Sequence, residues 1–178
     1  MDIRTAMKEQ YHAGLAMLAQ CVEKCPDDLW EHTLSIETDE RGLCIRSFWR
    51  IALHAAYFTH LYMGQGEDAF QPWPGRRKDE HEAMWKAPWD IEAFEMPENT
   101  TPYSKQEISD YISYIDSIVN DTVDGLDLDT ANSGFFWYKT TEKLSHELMN
   151  LRHVQGHVGQ LSELLMARGI DIRWVGKK

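Results

Sequence analysis

The chain has 178 residues, a length that one hydrophobic core commonly serves and that needs no disulfide framework to fold. Its 18 Lys+Arg against 29 Asp+Glu give a formal net charge of −11, which argues against nucleic acid or an anionic membrane as partner, because phosphate binding rests on clustered cations. No run approaches about 18 consecutive apolar residues, so no membrane span is expected. The start, Met1-Asp2-Ile3-Arg4-Thr5, lacks the basic segment and apolar run of a signal peptide. Three cysteines without framework spacing fit a reducing compartment, so the expectation is a cytoplasmic globular domain spanning residues 1–178.

Four stretches carry helical periodicity, and none reads as a strand. From Ile3 to Cys25, residues Met7, Tyr11, Gly14, Leu15, Leu18, Val22 and Cys25 recur at three- and four-residue steps. Asp2 is placed to cap this first helix, and Pro26 follows it. The second helix, about Ser47 to Met63, is apolar almost all round (Phe48, Trp49, Ile51, Leu53, Tyr57, Phe58, Leu61) and is expected to be buried. His54 and His60 lie within it and each needs a physical explanation. Roughly 40 residues follow, 65–103, rich in Pro and Trp (Pro72, Trp73, Pro74, Trp85, Pro88, Trp89, Pro97, Pro102). Connections beyond about 12–15 residues are uncommon unless functional or disordered, and this composition points to a packed crossover.

Ser104-Lys105-Gln106-Glu107 matches a capping box and opens the third helix, which continues through Ile108, Tyr111, Ile112, Ile115, Ile118 and Val119. The fourth runs from about Thr141 to Arg168, with Gly169 where a left-handed residue is expected. In the tail from Ile170, Trp174 is placed to fold back on the helices. The expected architecture is therefore all-α: a four-helix bundle whose long crossover lets the second and third helices run parallel.

Chemistry concentrates on the fourth helix. His153-Val-Gln-Gly-His157 sets two imidazoles at i and i+4, on one face and within reach of one ion. His54 is the candidate third ligand, because an unpaired imidazole in so apolar a helix is costly. Three neutral imidazoles with an open position make a catalytic rather than a closed structural site. The competing reading is a core histidine bonded to Tyr57 or a backbone carbonyl. Gly156 and Gly159 each cost about 1 kcal/mol relative to Ala in mid-helix, which a close approach by a backbone or a ligand would rationalise. Val154 occupies the Glu position of the zinc-protease signature His-Glu-x-x-His, so peptide hydrolysis by that route is disfavoured.

His153-Val-Gln-Gly-His157-Val-Gly-Gln160-Leu161 followed by a helix end at Gly169, together with His54 in Leu53-His54-Ala55-Ala56, resembles the DinB-like superfamily over essentially the whole chain. That resemblance implies metal binding by His54, His153 and His157, with zinc or nickel as the usual ion. It also implies an enzyme that uses a low-molecular-weight thiol, as the bacillithiol transferases and mycothiol-dependent isomerases do, acting on a small electrophilic molecule, with a homodimer as a common assembly. His146 and Gln160 take catalytic, ligand-supporting or proton-handling roles in this scheme. A metal-dependent hydrolase using bound water, or a non-catalytic metal-binding bundle, stands as the alternative.

Other features weigh less. Cys21 and Cys25 lack redox spacing and read as buried thiols, and Cys44 says little. Arg76-Arg77-Lys78 is the one basic cluster, read as a solvated turn in preference to an anchor for a cosubstrate carboxylate. Phe135-Phe136-Trp137-Tyr138 reads as core, compatible with a pocket wall.

Overall fold

A computed structural model describes residues 2–39, 42–79, 81–86 and 92–178; Pro88 and Trp89 of the crossover lie outside this set, as does Glu80. Among the described residues there are six helices: α1 (Ile3–Lys24), α2 (Asp27–Trp30), α3 (Phe48–Met63), α4 (Glu82–Lys86), α5 (Lys105–Gly125) and α6 (Lys143–Met166). Two antiparallel strands, β1 (Thr33–Asp39) and β2 (Gly42–Ser47), lie between α2 and α3. The fold is thus mixed helix and strand, 59% helical, and not the all-α four-helix bundle that periodicity predicted.

The strands escape a periodicity search for a physical reason. The hairpin has little core face: Ile36 and Leu43 are exposed, and Ile45 is the strand residue most deeply buried. Leu34 and Ile36 alternate with Thr33, Ser35 and Glu37, and Leu43 and Ile45 with Cys44 and Arg46, but each run has only two apolar residues and is easily passed over beside the long helices. Pairing continues beyond the hairpin, since Ile45 N–H donates to Phe94 O at 2.8 Å.

The four long helices pack in the cyclic order α1–α6–α3–α5. Their directions follow from the contacts at their ends. Arg4 at the start of α1 donates to Leu126 O beyond the end of α5, while Lys105 at the start of α5 pairs with Asp27 just past α1. Lys143 opening α6 donates to Gly64 O at the end of α3. Trp30 touches Phe48 and donates to Tyr103 O, so α3 and α5 begin at the same end and run parallel.

Local signals are realised unevenly. Ser104 and Glu107 form the reciprocal capping box, and Gly169 takes the left-handed conformation at φ +73°. Asp2, in contrast, makes no side-chain cap bond. The tail folds back along α1: Gln20 bonds the Arg173 backbone and Gln10 donates to Gly176 O, although Trp174 itself stays exposed.

The crossover is packed. Trp73, Met84, Trp85, Phe94, Met96 and Tyr103 are buried. Arg50, buried on α3, fastens the 93–97 segment by donating to Ala93 O and Met96 O at 2.8 Å and to Pro97 O at 2.6 Å. No helix among the described residues is long and apolar enough to cross a membrane.

Candidate metal centre

The helical repeat places His153 and His157 on successive turns of α6, and the antiparallel packing of α3 brings His54 opposite them. His153 Nε2 lies 3.2 Å from His54 Nε2 and 3.1 Å from His157 Nε2. One ligand atom from each of the three residues falls within a common 4.8 Å span. Zinc–imidazole bonds of about 2.0–2.1 Å in a tetrahedron would set nitrogen pairs about 3.3–3.4 Å apart. The two short separations are close to that value and the third pair lies within 4.8 Å, so the donor set could hold a divalent ion.

The electrostatics fit as well. Burial drives the His54 imidazole well below its ordinary pKa, with the neighbouring His157 and Arg46 charges adding to the effect. Burial and the same kind of mutual repulsion lower His153 to about 3, and burial lowers His157. All three rings are therefore neutral near pH 7, the form that offers a lone pair. His153 Nε2 faces two other Nε2 atoms, and no arrangement of imidazole protons hydrogen-bonds all three to one another symmetrically. A shared cation satisfies all three lone pairs.

Two polar side chains face the outer nitrogens of the rings. Gln160 Oε1 lies 2.8 Å from His157 Nδ1, and Glu92 Oε2 lies 2.9 Å from His54 Nδ1. Such partners fix ring orientation and tautomer in metal sites. Phe94 stacks on the His54 ring with centroids 4.3 Å apart, and Phe58 packs against it at 4.6 Å. The triad opens into a cleft of about 510 Å³ also lined by Arg46, Tyr62 and Trp137. Tyr57 does not pair with His54, because its hydroxyl donates to Met84 O.

The remaining sequence candidates separate clearly. Gln160 joins the cleft, whereas His146 does not. His146 is fully buried, stacked on Phe135 at 4.9 Å and packed against the edge of Tyr62, with neither ring nitrogen hydrogen-bonded. It sits in a buried polar layer with the Lys143–Glu147 ion pair (2.8 Å), Glu147 also accepting from Tyr11 at 2.5 Å. His60 is a core histidine on Tyr111, 3.0 Å from its hydroxyl, and burial lowers it to about 4. Cys21 and Cys25 are buried thiols pushed up to about 12, and all three cysteines are free.

The basic cluster and the α6 glycines also resolve. Arg77 is committed to Glu107 and to the Thr101 and Pro102 carbonyls, so it is a structural clamp and not a solvated turn. No atom lies within 4 Å of a Cβ built on Gly156 or Gly159, so nothing in the described chain approaches there. The close approach occurs instead at Gly14 on α1, where a Cβ would stand 3.3 Å from Val154 Cγ1.

Glu92, Phe94 and Arg46 are the site residues that sequence reading missed. Glu92 is one of 29 acidic residues, in a connection without periodicity, and Arg46 lies on a strand whose alternation is only a few residues long. The one available signal was the unexplained length of the crossover. No family model, curated protein or solved structure matches the chain.

Proposed function

We propose that this protein is a metalloprotein of the DinB-like type, binding zinc or nickel on His54, His153 and His157, and acting as a thiol-dependent S-transferase on a small electrophile. The convergence of three neutral imidazoles, drawn from two helices that share no local sequence, is the observation that carries the metal reading. Three ligands on one wall of an open cleft favour a site that admits a small molecule over a closed structural one. The S-transferase assignment rests on the resemblance of the histidine motifs. We place the protein in the cytoplasm, on its free cysteines.

His54, His153 and His157 would hold a divalent ion, which would lower the pKa of a bound thiol so that the thiolate is available at neutral pH. The chain's own residues do the rest. Gln160 holds the His157 ring through its Nδ1, and Glu92, close to His54 Nδ1, offsets positive charge. Phe58 and Phe94 keep water from the inner wall. In the transfer, the thiol sulfur forms a C–S bond to the electrophilic carbon as the bond to the leaving group breaks. The leaving group departs with the electron pair, and the thiol proton passes to solvent.

Metal content of tag-free protein, measured by mass spectrometry beside His54→Ala and His157→Ala, tests the site. About one ion per chain in the parent, lost from both variants, is expected. A panel of epoxides and esters with and without added thiol then tests the reaction. Turnover of esters that persists without thiol would replace the transferase reading by hydrolysis. Unfolding on chelation with no thiol binding would leave a structural ion.

A further inference from the structure

Resting on the metal reading above, we infer that Arg46 is a specificity-determining residue that holds a carboxylate on the small molecule entering the cleft. Strand alternation gives Arg46 its position: Ile45 turns into the core at 1% exposure, while Cys44 and Arg46, two residues apart, both line the cleft. The Arg46 guanidinium sits 4.6 Å from the centre of the Phe94 ring, whose other stacking partner is His54 at 4.3 Å. Phe94 thus contacts both the Arg46 guanidinium and the His54 ring, and all three line the same cleft.

Charge supplies the second argument. Arg46 makes no hydrogen bond or ion pair with any described residue, in a chain of net charge −11 where carboxylates are plentiful. Among the described lining residues Glu92 is the one carboxylate and Arg46 the one Arg or Lys. With a divalent ion in place, positive charge in the cleft exceeds what Glu92 neutralises, and an anionic ligand restores the balance. Counting the bound thiolate as well, one positive charge is left, which a monoanionic carboxylate balances while meeting the guanidinium with two parallel N–H···O bonds. Arg76-Arg77-Lys78, the alternative anchor in the sequence, contributes no residue to this cleft.

The test compares 3-mercaptopropionate with the neutral 3-mercapto-1-propanol on cobalt(II)-loaded protein, read by the sulfur-to-cobalt charge-transfer absorption. The parent is expected to bind the carboxylated thiol at least about tenfold more tightly. Arg46→Met should abolish that preference while retaining metal, Arg46→Lys should keep part of it, and Lys78→Met, outside the cleft, should keep all of it. Equal binding of the two thiols by the parent, or a full preference in Arg46→Met, overturns the inference. If cobalt does not load, the metal reading falls by itself, and Arg46 is then judged by saturation-transfer NMR of propionate with the metal-free protein. Transfer lost in Arg46→Met supports the carboxylate site; no transfer in the parent, or equal transfer in both proteins, refutes it.

Discussion

Replacing His153 by alanine removes the imidazole whose Nε2 stands 3.2 Å from His54 and 3.1 Å from His157, leaving two donors without their shared neighbour. At zinc concentrations 1,000 times Kd, binding to the folded state alone adds about 4 kcal/mol, which for a chain of this size raises Tm by about 8–16 °C. Loss of even an outer partner of a metal ligand typically costs about 10–100-fold in affinity, so loss of a direct ligand should cost more than about 100-fold. At the same zinc concentration the variant would then gain less than about 1.4 kcal/mol, or about 3–6 °C. Scanning calorimetry with and without a chelator reads both numbers. His32→Ala, an exposed histidine, should retain the full parental shift. The same Tm gain in His153→Ala as in the parent, or no gain in the parent, would refute the three-histidine site.

Three further outcomes follow from the packing. Burial holds His60 at about 4 in the folded state against about 6.5 unfolded, so the unfolded chain binds the extra proton and stability falls as pH drops below about 6.5; between pH 7.5 and 5 the loss is about 2 kcal/mol. Urea titrations should show a shallower pH slope in His60→Gln, and an unchanged slope would rule out a neutral buried His60. Gly134→Ala should cost at least about 2 kcal/mol, because φ is +83° and the new Cβ would lie 2.2 Å from Gln65 O; chemical denaturation measures it, and a neutral effect would contradict the Gln65–Gly134 approach. Lys143→Met strands Glu147, both side chains being fully buried, at a cost of about 3–5 kcal/mol. Adding Glu147→Gln should recover part of that loss, since Gln keeps an acceptor for Tyr11, and a double variant no more stable than the single would contradict the pairing.

Much of the helical framework and the three-histidine group that could hold an ion was legible from local pattern. Met7, Tyr11, Leu15 and Leu18 repeat on one face because a helix buries a stripe, and Ser104–Glu107 encodes its own cap within four residues. His153 and His157 share a face by helical repeat alone, and His54 was conspicuous because an imidazole in an apolar helix needs a partner. The hairpin is easily passed over because its alternation is short: Leu34 and Ile36 on one strand and Leu43 and Ile45 on the other are only two apolar residues each, and Ile36 and Leu43 stay exposed. His146 shows the converse difficulty: it is on the histidine-bearing helix, yet it turns into a layer closed off by Tyr62 and Phe135.

The sequence by itself determined the spans of the long helices, the cap of α5, the turn at Gly169 and the spacing of the α6 histidines. Each depends on residues within a turn or two of one another, where side-chain periodicity and backbone conformation suffice. Only the tertiary structure decided which groups surround the triad. Glu92 and Phe94 reach His54 because Arg50 and Ile45 bind the backbone of a crossover more than 40 residues distant. Arg46 reaches the cleft because a short strand leads into α3. Those contacts depend on hydrogen bonds to main-chain carbonyls, which every residue carries, and so leave no mark in the side-chain pattern of the segments they join.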